Sequence, residues 1–229
     1  MARHIGIVAC SAEGAALCYR TICLEADQTM GRYDHPEVSM HTHSLARYMV
    51  GIRSGDWPAV AELMLDSAAK LARAGAELLI CPDNTIHEAM GLVEPRSALP
   101  WLHIAHEVAR QAQRQGFRCL AVLGTKYLME GRVYRSAAAE AGLSMQVPGE
   151  EERRRIDRII FEELVYGQVL PDSRRHLDEV MAEMKALGCD AAVLGCTELP
   201  LLADPATAPL PLLDSTRILA RAALAEAMR

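Results

Sequence analysis

Short apolar runs alternate along this chain with longer stretches of helical periodicity. The runs are Ile5–Val8, Leu78–Cys81, Leu102–Ile104, Cys119–Leu123, Ala191–Leu194 and Leu210–Leu213. Between them, Val60–Ala74, Ile104–Gln115 and Leu177–Leu187 carry apolar residues at three- and four-residue spacing, the mark of amphipathic helices. Short, wholly apolar strands alternating with helices predict parallel sheets covered on both faces.

The pattern repeats. Arg3–Ser11 aligns with Phe117–Thr125, Ala74–Thr85 with Leu187–Glu198, and Leu99–Leu102 with Leu210–Leu213. Three matches in the same order predict a duplicated α/β unit. The expected fold class is therefore α/β, with two pseudo-symmetric half-domains, mainly parallel sheets and an active site in the cleft between them. We place the first half at residues 1–98, the second at 99–215 and a C-terminal helix at 216–229, free to return to the first half.

Composition narrows the function. The chain has 229 residues, of which 51% are hydrophobic, enough for a sizeable core without staples. The net charge of −6 argues against a nucleic-acid or membrane-surface partner, since both need a clustered basic face. Arg153-Arg154-Arg155 follows Glu150-Glu151-Glu152 and reads as a solvated helix face. No run reaches the roughly 18 apolar residues of a membrane span. The opening residues lead straight into a strand without a signal-peptide design. The seven cysteines include no CxxC pair, so neither a disulfide framework nor a zinc knuckle is expected, and the reducing cytosol is the expected location.

The repeat places the candidate chemistry. In open α/β sheets, ligands bind beyond the carboxyl ends of the strands. There the first half carries Asp83-Asn84-Thr85 and the second Cys196-Thr197-Glu198, with Asp83 and Cys196 at equivalent positions. A carboxylate and a thiol on opposite faces of one carbon can remove a proton and return it from the other side, which is general acid–base catalysis. Backbone N–H groups at these turns, with Asn84, Thr85 and Thr197, are candidates to hold a substrate carboxylate and its developing charge. Ser11 and Thr125 end the first strand of each half and are candidates for the same cleft.

Each residue also has a plainer reading. Asp, Asn and Thr after a strand are ordinary helix caps, and Cys is often a small buried residue. Cys81, Cys119 and Cys189 read as core, and Cys18 and Cys23 as helix packing. Cys10 stays open between core and site. His87 either contacts the site or caps a helix turn. His41 and His43 share one face at strand spacing, but no third ligand accompanies them, and no metal is expected.

At the two turns the sequence resembles the aspartate/glutamate racemase family, which includes hydantoin racemases and arylmalonate decarboxylases. The likeness rests on Gly6-Ile7-Val8 with Tyr19-Arg20, Asp83-Asn84-Thr85-Ile86-His87 and Leu123-Gly124-Thr125. It continues through Glu162-Glu163-Leu164 with Gly167, Gly195-Cys196-Thr197-Glu198-Leu199 and Asp214-Ser215-Thr216. The resemblance implies two α/β halves around one site, no cofactor, a homodimer, and an amino acid or small carboxylate as substrate. Two departures stand out. Asp83 replaces the cysteine expected before Asn-Thr, and Val165-Tyr166 stand where aspartate-specific members carry a lysine. Arg47, Arg20 and Lys126 are then the candidates for a distal carboxylate.

Asp83 makes the pair unequal. Free carboxyl and thiol groups differ by roughly 4.5 pKa units, or about 6 kcal/mol. Four readings follow: a racemase with unequal bases, a decarboxylase or lyase using Cys196 alone, a cis–trans isomerase with covalent attack by Cys196, and a non-catalytic small-molecule-binding module.

Overall fold

The computed structural model describes residues 2–229. The chain divides into two compact units. One runs to Glu107 and takes in Thr216–Arg229, and the other is Val108–Ser215.

The first unit holds β1 (Ile5–Ala9), β2 (Val38–Thr42), β3 (Leu78–Ile80) and β4 (Trp101–Leu102) in the order β2-β1-β3-β4. The second holds β5 (Cys119–Leu123), β6 (Ser144–Gln146), β7 (Ala191–Leu194) and β8 (Leu212–Asp214) in the order β6-β5-β7-β8. All pairings are parallel. The two half-domains thus share one topology. The repeat keeps its register as well: Leu79 pairs Trp101 and Ile80 pairs Leu102, while Ala192 pairs Leu212 and Val193 pairs Leu213.

The same anchoring recurs where each first strand begins. Glu77 accepts from the His4 N–H at 3.0 Å. Its repeat partner Asp190 accepts from the Arg118 and Cys119 N–H groups at 2.8 and 3.0 Å. An acidic residue just before the third strand of each sheet therefore ties down the start of the first.

Three expectations need correction. The first unit extends past residue 98, because Trp101–Leu102 pairs with β3 and so belongs to the first sheet. The run Leu102–Ile104 is not one strand: Ile104 opens the helix Ile104–Arg114, where Ile104, Ala105, Val108 and Ala112 are buried at helical spacing. The last strand begins at Leu212, since Pro211 lacks an N–H and offers only its carbonyl, to Ala192 at 2.8 Å.

β2 and β6 escape an apolar-run reading, unlike the other two edge strands β4 and β8, because polar residues interrupt them. Their residues are only partly buried or exposed, so Val-Ser-Met-His-Thr and Ser-Met-Gln need no continuous hydrophobicity. β1, by contrast, is buried along its whole length. The C-terminal helix Ser215–Ala227 contributes Leu219, Ala220, Ala223 and Ala227 to the same cluster as Ile5, Ile7, Cys18 and Ile22. The second core gathers Leu123, Ile156, Leu177, Met181 and Leu194.

Candidate active site

Parallel pairing brings the carboxyl ends of β1, β2 and β3 to one edge of the first sheet. Asp83 sits there after β3, half-buried. Its carboxylate is held by the turn after β1: Oδ2 accepts the Cys10 N–H at 3.1 Å and Oδ1 the Ser11 N–H at 3.0 Å. Hydrogen bonds to a carboxylate favour its charged form. They also take two of its roughly four lone-pair sites. At this turn the Cys10 and Ser11 N–H groups are thus engaged by Asp83.

Ser11 also caps the helix Ala12–Glu25 by accepting from the Gly14 N–H. Cys10 is buried at 5% exposure. Asn84 is buried and its side chain makes no capping bond, which sets aside the ordinary-cap reading for it. Thr85 opens the short 3-10 helix Thr85–Ala89.

His87 turns inward. Its Nε2–H donates to the Cys81 carbonyl at 3.0 Å, its ring meets His103 edge-on at 4.5 Å, and burial pushes its pKa down to about 4. It supports the Asp83 turn from below as a neutral imidazole. Cys81 is no substitute base: burial, and then the nearby Asp83 charge, push its thiol well above the ordinary range. Tyr48 is fully buried. Burial first, and then Cys81 and Cys10, raise its phenol.

In the second unit the corresponding edge carries Cys196. The thiol is half-buried and donates to Glu198 Oε2 at 2.9 Å. Thr197 donates its hydroxyl to the same oxygen at 2.7 Å. Glu198 is only 6% exposed, so a carboxylate secluded from solvent gathers two donors, one of them the thiol. The strand end is shaped by a close approach: a Cβ on Gly195 would lie 2.9 Å from the Leu123 carbonyl oxygen. Thr125 caps the helix Lys126–Glu130 by accepting from the Leu128 N–H, repeating the role of Ser11.

Two of the three cationic candidates are engaged locally. Arg47 is exposed beyond the end of β2 and donates to His43 Nδ1 at 2.9 Å. Lys126 Nζ lies 5.1 Å above the Tyr127 ring, and Arg20 is exposed. Val165 and Tyr166 are exposed. All seven cysteines are free thiols. Among the described residues no helix is long and apolar enough to cross a membrane.

Two half-domains of one topology, with Asp83 and Cys196 following equivalent strands, define the class of fold. The family model for Asp/Glu/hydantoin racemases matches residues 7–223. The broad specificity amino-acid racemase RacX of Bacillus subtilis (strain 168) is 21% identical over 191 residues, spanning 82% of this chain and 80% of that protein. The crystal structure of a candidate Asp/Glu racemase from Yersinia pestis superposes with a TM-score of 0.91 at 30% identity, over 99% of this chain and 100% of the other. PH1733, an aspartate racemase homologue from Pyrococcus horikoshii OT3, gives a TM-score of 0.86 at 28% identity, over 99% and 100%. The chain belongs to the Asp/Glu/hydantoin racemase family.

Proposed function

We propose that this protein is an amino-acid racemase, an isomerase that needs no pyridoxal because Asp83 and Cys196 supply both proton-transfer groups. The substrate is an amino acid or a similar small carboxylate. The Asp83 carboxylate removes the α-proton from one face, leaving a carbanion and a carboxylic acid. The Cys196 thiol then delivers its proton to the opposite face and becomes a thiolate. The reverse direction starts from that thiolate and the protonated Asp83.

The observation that carries this reading is the 2.9 Å contact between Cys196 Sγ and Glu198 Oε2. A buried carboxylate against a thiol gives the thiol proton somewhere to go and somewhere to return from, which a merely structural cysteine does not need. Family membership supports the reaction type.

A second reading, single-cysteine chemistry, is favoured by the two backbone bonds on Asp83. They stabilise the charged carboxylate and weaken it as a base. Cys196 would then protonate a carbanion left by decarboxylation or elimination, and Asp83 would fix the turn.

Incubating both enantiomers of a panel of amino acids and small dicarboxylic acids in deuterated water separates the two. NMR should show deuterium at the α-carbon together with inversion, and inversion should vanish in Cys196→Ser, leaving at most exchange from the enantiomer that Asp83 deprotonates. Carbon dioxide release without inversion establishes the second reading. A chain that binds these ligands but neither exchanges nor releases anything is a binding module, and both readings then fail.

A further inference from the structure

We infer that His41, His43 and Asp66 form a binding site for a nitrogen-preferring transition-metal ion of the Zn2+ class. One donor atom from each lies within 4.8 Å of the others. The ligands come from two elements: His41 on β2 and His43 just beyond it, and Asp66 on the helix Trp57–Arg73. The sequence presents the two histidines together. Only packing of this helix against β2 supplies the third ligand.

The surroundings fit a ligand set better than a plain ion pair. The two imidazoles meet edge to face with centroids 4.9 Å apart. His41 Nδ1 is 2.9 Å from the hydroxyl of Ser67, which is fully buried. That bond fixes the ring through one nitrogen, as the outer-shell partners of metal-binding histidines do, and leaves Nε2 to coordinate. His43 Nε2 lies 2.7 Å from Asp66 Oδ2.

The proton arrangement says what binding changes. Arg47 can only donate, so its 2.9 Å bond makes His43 Nδ1 the acceptor. Nε2 therefore carries the ring proton, pointed at Asp66. An ion bound between Nε2 and Asp66 takes that proton's place, and the proton moves to Nδ1. Nδ1–H and the guanidinium would then both be donors, so Arg47 turns away into solvent. Lys70 Nζ, 2.6 Å from Asp66 Oδ2, competes for the same carboxylate. Two nearby cations disfavour hard ions that rely on carboxylate charge, whereas two imidazoles suit Zn2+, Co2+, Ni2+ or Cu2+.

Co2+ is the probe, added to untagged full-length protein and followed by calorimetry and visible absorption. The expected result is one bound equivalent without a thiolate-to-cobalt charge-transfer band. Affinity should fall by at least about tenfold in His43→Ala and in Asp66→Ala and be unchanged in Cys196→Ser. Asp66 has a half-exposed side chain (49%), so its variant tests the site even if His43→Ala fails to fold. The absence of a stoichiometric site, a thiolate band, or unchanged affinity in Asp66→Ala overturns the proposal.

Discussion

Replacing Glu198 with Gln keeps the shape of the second turn and removes its charge. In the folded chain one oxygen, Glu198 Oε2, accepts both the Cys196 thiol and the Thr197 hydroxyl. A neutral amide oxygen still accepts, but more weakly, and cannot store the thiol proton. Hydrogen bonds to charged groups contribute about 1.5–3 kcal/mol, against about 1 for neutral ones. Exchanging the charged for the neutral interaction therefore costs about 0.5–2 kcal/mol, a rate loss of about 2- to 30-fold at 1.36 kcal/mol per decade. The loss should be unequal. Exchange that begins with Cys196 as base needs the thiol proton to leave, so it loses the most. Exchange that begins at Asp83 needs the thiol only as an acid, so it loses less. The assay is the initial rate of deuterium wash-in to each recovered enantiomer, kept apart from inversion, whose kcat/KM must fall equally in both directions because the enantiomers have equal free energy. A drop concentrated in the wash-in of one enantiomer is expected. Equal rates from both enantiomers, within about twofold of the unmodified protein, would refute the role given to Glu198.

Three further outcomes are expected. Asp83→Ala removes the carboxylate bonds to the Cys10 and Ser11 N–H groups and should lower unfolding stability by about 2–4 kcal/mol; urea midpoints matching the unmodified chain would show that Asp83 does not anchor the turn. Gly195→Ala places a methyl 2.9 Å from the Leu123 carbonyl oxygen and should cost about 1–3 kcal/mol through overpacking, read as a lower thermal midpoint; no change would mean that the strand end yields freely. His87 is held neutral with a pKa of about 4, against an ordinary 6.5, so between these values the unfolded chain binds the extra proton. Its contribution is fully present above about pH 6.5 and is lost as pH falls toward 4, by about 3 kcal/mol. Urea melts across this window should show a steeper loss in the unmodified protein than in His87→Gln, and identical slopes would contradict the assignment.

The two candidate turns were legible because they follow strands that had to be apolar. β1, β3, β5 and β7 are buried throughout or nearly so, so hydrophobicity marks their positions and the polar residues after them mark the sheet edge. The repeat then paired Asp83 with Cys196, and the matching order of strands in the two sheets agrees with that duplication. His87 was open between contacting the site and capping a helix turn, since nothing local tells a histidine which way its ring points.

The sequence by itself determined the α/β class, the duplication and the strand ends that hold the candidate residues, because burial on both faces leaves a periodic imprint on the residues concerned. Tertiary structure alone decided the partners. β2 and β6 leave no such imprint, since neither is buried along its length. The carboxylate of Asp83 meets an N–H group 72 residues away in the chain, and Asp66 reaches His43 across 23. Such contacts depend on how a helix or turn is carried over its sheet, and no local pattern records that.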